Sequence, residues 1–197
     1  MDYTDLTALA PLIVTAFVAV LIVVVLSVRR VHRVVLGVTL VGLVLAGLSI
    51  MLAVPLAPRQ VTVLLIIDSY SLFYFGLLLA AAVVVSLLAF SYLEQRRENR
   101  EEFYVLLVIA TVGAMVLVAS NHFVSLFLGL EVLSIGIYGL IAYLRNTPFA
   151  VEAGIKYLIL AGASSAFLVF GMALIYGQTG SMQFGAMAAK LSGDVHL

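Results

Sequence analysis

Two ionisable residues stand inside long apolar runs: Glu131 within residues 123–144 and Lys156 within residues 149–176. A charge at the centre of a membrane helix costs roughly 2.5–3.5 kcal/mol on insertion scales, so each is a functional position by default. Glu131 follows Phe123 by eight residues and Lys156 follows Phe149 by seven. At a rise of about 1.5 Å per residue, on helices running in opposite directions, each is expected roughly 11–12 Å from its own membrane surface. Both depths are then near the midplane and let the two residues approach. On the face of Glu131, Ser134 stands at i+3 and Tyr138 at i+7, a polar stripe that hydroxyls or water extend. Lys156 has Glu152 one turn before it, placed for pairing at i, i+4, and Ser164 two turns after it. Such groups make a chain of proton carriers. Desolvation disfavours the charge on each, while each charge favours the ionised form of the other, so a partner charge moving nearby loads or unloads a proton. The two titrations are coupled. The competing reading is an ion pair that only locks two helices together. Small residues do that more cheaply, and small-xxx-small spacing is present as Ala161/Ser165, Gly162/Ala166 and Gly42/Ala46.

The elements that must position these residues follow from composition. Hydrophobic residues make up 64% of the 197-residue chain and charged residues 10%, and mean hydropathy is +1.24. An average soluble domain is about half apolar and a quarter charged, so lipid is the solvent for most of this chain. Backbone polar groups must be paired in hydrocarbon, and the apolar runs are continuous rather than alternating, which selects helices over a barrel. Six runs reach the roughly 20 residues a crossing needs: 6–28, 34–54, 72–92, 103–120, 123–144 and 149–176. The fold expected is an all-α polytopic transmembrane bundle of about six helices. Residues 61–67 are too few to span and follow Pro55 and Pro58, so they read as an extended surface piece, with Asp68 or Ser69 capping the third helix. Asp2 and Asp5 precede the first run where a cleaved signal would carry basic residues, so that run reads as a retained helix. Residues 177–181 read as a turn, followed by a short extramembrane tail.

Orientation follows from the basic residues. Arg29, Arg30, Arg33, Arg96, Arg97, Arg100 and Arg145 fall in three loops on one side, against Arg59 and Lys190 on the other. The seven-to-two bias puts the former side in the cytoplasm and the amino terminus outside. The charges at 94–102 read as a solvated loop. His122, in the outer turn, is read as an interfacial residue rather than a relay. Tyr70, Tyr74, Tyr92, Tyr104 and Tyr143 read mostly as interfacial anchors rather than a quinone cage. A net charge of +0 argues against a nucleic-acid partner. With no Cys, and without a glycine-rich nucleotide loop, the chain is expected to bind no cofactor and no metal.

The stretch 121–135 (NHFVSLFLGLEVLSI), continuing to Tyr138, resembles the fifth helix of subunit N in the antiporter-like membrane subunit family of bacterial NADH-quinone oxidoreductase (respiratory complex I). EAGIKY at 152–157, the small-residue run to Ser165 and GMALIYG at 171–177 resemble its sixth. EEFY at 101–104 and DSYSLF at 68–73 are similar to the openings of its fourth and third. The resemblance implies an amino-terminal part of a longer subunit built on inverted five-helix repeats. It divides the chain into 1–65 (two lead-in helices and an outer loop), 66–180 (third to sixth helices, the start of the repeat) and 181–197 (tail, truncated). It carries the proton-translocating roles onto Glu131 and Lys156. It implies a complex that couples NADH oxidation by quinone to proton pumping. Flavin, iron–sulfur clusters and quinone then sit on other subunits, and the partners are membrane subunits and a peripheral redox arm in a bacterial inner membrane. A cation/proton antiporter subunit without redox coupling, and a purely structural scaffold, are the rival readings.

Overall fold

The computed structural model describes residues 2–28, 30–95, 100–144 and 149–193. Arg29, Arg96, Arg97 and Arg145, which weighed in the orientation, lie outside them. The described residues form helices α1 (Tyr3–Ala8), α2 (Ala10–Val28), α3 (His32–Ala53), α4 (Ser69–Glu94), α5 (Glu102–Val118), α6 (Phe123–Ile141), α7 (Ala150–Thr179) and α8 (Phe184–Gly193). A 3-10 turn, Val54–Leu56, extends α3. The all-α bundle expected from hydropathy is the one observed.

The first run is divided. Pro11 has no N–H for the Thr7 carbonyl and its ring crowds that carbonyl, so α1 ends at Ala8 and α2 starts afresh. Asp68 caps α4 as expected: its carboxylate accepts from Ser71 N at 2.7 Å and Ser71 Oγ accepts from Asp68 N at 2.8 Å. Among the described residues five helical segments are long and apolar enough to cross a membrane. The sixth run expected, 103–120, is helical over 17 residues as α5, about 25 Å. It falls just short on length, yet its two ends are tied to opposite ends of the bundle.

At one end, strands β1 (Arg59–Gln60) and β2 (Ile66–Ile67) pair antiparallel. Ile66 N donates to Ala119 O at 2.9 Å and Asn121 N to Leu64 O at 2.9 Å, so this hairpin closes over the α5–α6 turn. Residues 61–67 are therefore not simply a surface piece: Val61 and Ile67 are buried beneath it. Arg59 reaches Asp5 at 2.6 Å and ties in the amino terminus. The Asp2 backbone and the Arg59 guanidinium hold the Asp5 carboxyl below the usual carboxylate range. Phe123 N donates to Met182 O at 2.9 Å, bringing the α7–α8 junction to the same end. At the opposite end Arg30 meets Glu102 and Arg33 meets Glu94, both at 3.7 Å. These exposed pairs contribute little energy, but they fix the α2–α3 and α4–α5 loops on one side, as the basic-residue pattern requires.

Helices α2 to α6 pack as one body. Val18, Leu43, Phe75, Leu79 and Val108 are buried between them. Tyr104 differs from the interfacial anchor expected: it is fully buried, and its hydroxyl meets His32 Nε2 at 2.9 Å. Gly42 uses its small size as expected, since a Cβ there would lie 2.4 Å from Val18. Backbone contact between α5 and α6 is closest at Gly113 and Gly129. A Cβ on Gly113 would stand 2.3 Å from Leu133 N, so only glycine permits this approach. The Gly162/Ala166 pair, by contrast, meets no other helix among the described residues: none of them lies within 4 Å of a Cβ at Gly162.

The turn expected at 177–181 begins later. Helix α7 continues to Thr179 and ends at Gly180, whose φ of 61° is the left-handed cap that glycine adopts freely. Lys190 Nζ then donates to the Thr179 carbonyl, folding α8 back under that end.

Candidate proton-relay site

The packing of α6 against α5 decides where Glu131 points. Gly129 and Gly136 both face α5, and at about 100° per residue Glu131 lies roughly opposite both. That face is the one α7 covers. His122 starts the helix, with Nδ1 accepting from Val124 N at 3.1 Å. It serves as the cap of α6.

Helix α7 is held to α6 at both ends. At one, a Cβ on Gly154 would approach Ala142 Cβ to 2.7 Å, so the absence of a side chain there sets the crossing. At the other, the bond from Phe123 N to Met182 O and the Phe123–Phe184 ring contact, at 5.5 Å, hold the junction. Between these pins the helices part, leaving a groove of about 580 Å³. Its wall on α6 is Leu130, Leu133, Ser134 and Ile137. On α7 it is Tyr157, Leu160, Ala161, Ser164, Ser165 and Leu168. The spacing on both helices is i, i+3, i+4, i+7, a single face in each case.

Within this frame Ser165 Oγ donates to Glu131 Oε1, joining the two helices near the middle of each. Ser134 and Ser164, both expected near the charges, line the groove. Tyr138 is half-buried one turn beyond Ser134 on α6.

Lys156 is elsewhere. Its ammonium pairs with Glu152 Oε1 at 2.5 Å, the i, i+4 partner expected, and the two side chains are 70% and 53% exposed. Lys156 precedes Ser165 by nine residues, about 13–14 Å along the axis, and lies about a third of a turn round α7 from the groove face. The matched depth expected for Glu131 and Lys156 therefore does not hold. The estimate from distances to each helix start assumed α7 to begin at the membrane surface, but α7 is a 30-residue helix, about 45 Å long, and its midpoint falls at Ser164–Ser165 rather than near Lys156.

Sequence reasoning weighed Ser165 only as a packing residue and did not single out Tyr157. The signal for both was present, because Tyr157, Ser164 and Ser165 recur at i, i+7 and i+8. What was missing was which face of α7 meets Glu131. Among the described residues no group of three or more His, Asp or Glu side chains is placed to hold a metal ion.

An all-helical, multi-pass membrane protein with a carboxylate hydrogen-bonded at mid-helix beside a groove is the class that fold and site define. Residues 120–195, which contain the whole site, match the family model described as the transmembrane part of NADH:quinone oxidoreductase/Mrp antiporter proteins. The chain is also similar to a chain in respiratory complex I from Thermus thermophilus with bound aureothin. Identity is 31% and the TM-score 0.75, over 89% of this chain and 38% of that one. A second similar chain comes from the membrane-bound sulfane sulfur reductase, an archaeal respiratory membrane complex. Here identity is 25% and the TM-score 0.70, over 96% of this chain and 40% of that one. The chain thus spans about two fifths of the length of each, and its fold is antiporter-like.

Proposed function

We propose that this chain is part of a proton-translocating, antiporter-like subunit of an NADH-quinone oxidoreductase. Glu131 carries the proton at mid-membrane, and Lys156 with Glu152 forms a charge pair nearer the basic-loop end. The observation that carries this reading is the placement of Glu131. A carboxylate at mid-helix is costly to keep in a membrane, and this one is bound to a hydroxyl beside a groove with room for several water molecules. Ser134, Ser164 and Tyr157 add hydroxyls that accept and donate along that groove, with Tyr138 beyond. On this reading flavin, iron–sulfur clusters and quinone belong to partner subunits; for the clusters the support is that a chain without Cys supplies no thiolates. We place the chain in a bacterial inner membrane, with the end bearing Arg30 and Arg33 in the cytoplasm and the amino terminus in the periplasm.

A second reading has specific support. The matching family description includes Mrp antiporters, and a subunit exchanging cations for protons would use the same carboxylate without NADH. One experiment addresses both. In membrane vesicles containing the full-length subunit with Glu131→Gln, NADH-driven proton uptake falls severalfold at unchanged complex content, because the amide keeps shape and hydrogen bonding but does not ionise. Normal uptake at normal complex content removes Glu131 from the proton route. Uptake that follows an imposed cation gradient and ignores NADH selects the antiporter.

A further inference from the structure

The hydrogen bond between α6 and α7 gives Ser165 a role that neither its residue type nor its spacing announces. We propose that Ser165 is the positioning residue for Glu131: its hydroxyl holds the carboxyl toward the groove in both protonation states. This rests on Glu131 carrying the proton, as proposed above.

Three observations support it. Ser165 Oγ donates to Glu131 Oε1 across the helix pair. Ser165 also lines the groove with Ser134, Ser164 and Tyr157, whose hydroxyls can accept and donate protons. The cation available on α7, Lys156, is engaged by Glu152 at 2.5 Å.

The chemistry of the partner matters. An ammonium only donates, so its attraction weakens as soon as the carboxylate is neutralised. A hydroxyl donates to the carboxylate and, after rotation, accepts from the protonated carboxyl. The bond therefore survives loading and unloading, and the carboxyl keeps one direction throughout.

The test uses the full-length subunit in the assembled complex, with Ser165→Ala, Ser165→Thr, Ser165→Val and Glu131→Gln measured together. Proton uptake is recorded against pH and normalised to complex content. The carboxyl stretching band of Glu131 is identified in infrared difference spectra by its loss in Glu131→Gln. Ser165→Ala is expected to lower uptake severalfold at unchanged complex content and to shift the carboxyl band, because the carboxyl loses its hydroxyl partner in both forms. Thr and Val share a shape and differ in the hydroxyl, so Ser165→Thr keeps the wild-type uptake and band and Ser165→Val follows Ala. This isosteric pair decides the matter even where Ser165→Ala assembles poorly. Identical uptake and bands in Thr and Val overturn the proposal. So does a wild-type profile in Ser165→Ala while Glu131→Gln fails to pump. Normal pumping in Glu131→Gln is a separate outcome: it defeats the proton role of Glu131 and the positioning role with it.

Discussion

Replacing Lys156 by Met, which keeps an unbranched side chain and removes the charge, measures how strongly Lys156 acts on Glu131. The axial offset between Lys156 and Ser165, the residue level with Glu131, is about 13–14 Å. At that distance two unit charges interact by about 1 kcal/mol at an effective dielectric of 20 and about 0.3 kcal/mol at 80. Glu152, at 2.5 Å from the ammonium, cancels part of even that. Lys156→Met is therefore expected to show a coupling free energy with Glu131→Gln of about 1 kcal/mol or less. An ion pair in contact at about 4 Å would give about 4 kcal/mol at the same dielectric. The assay is a double-mutant cycle, in which the coupling is read from the unfolding stability of the wild type, the two single variants and the double variant in detergent. A coupling of about 3 kcal/mol or more would refute the geometry. It would mean that Lys156 leaves Glu152 and reaches Glu131 in the working complex.

Two further outcomes follow from packing and topology. Gly113→Ala should lower stability by about 1–3 kcal/mol, because the added carbon meets the backbone of α6 and the helices must part. Gly162→Ala, with open space around it, should be neutral or stabilising by up to about 1 kcal/mol; equal thermal unfolding of the two variants in detergent would contradict the packing described. The chain has no Cys, so introduced cysteines report without background. Cysteines at Ser27 and Gln95 should both resist a membrane-impermeant thiol reagent in intact cells, while one at Thr4 reacts. Opposite behaviour of Ser27 and Gln95 would break the shared end that the Arg33–Glu94 pair defines, and labelling of both from outside would invert the orientation.

Much of the architecture was legible from residue types alone. Continuous apolar runs select helices wherever lipid is the solvent, because each backbone group must find its partner within its own segment. That constraint is local, and it also made Asp68 recognisable as a cap and Glu152 as the partner one turn from Lys156. Hydropathy likewise marked Glu131 as a residue that needs a reason to be where it is. Depth and facing were not legible, because they are properties of helix pairs. The crossing of α6 and α7 is set at Gly154 against Ala142, and the facing of Glu131 by glycines that turn the opposite side of α6 to α5. The run 149–176 already extends well beyond Lys156, but a depth counted from Phe149 alone ignores that length; α7, ending at Thr179, has its midpoint at Ser164–Ser165. Sequence spacing thus determined which residues share a face along one helix. Only the tertiary structure decided which faces meet, and so gave Glu131 a hydroxyl rather than an ammonium as its partner.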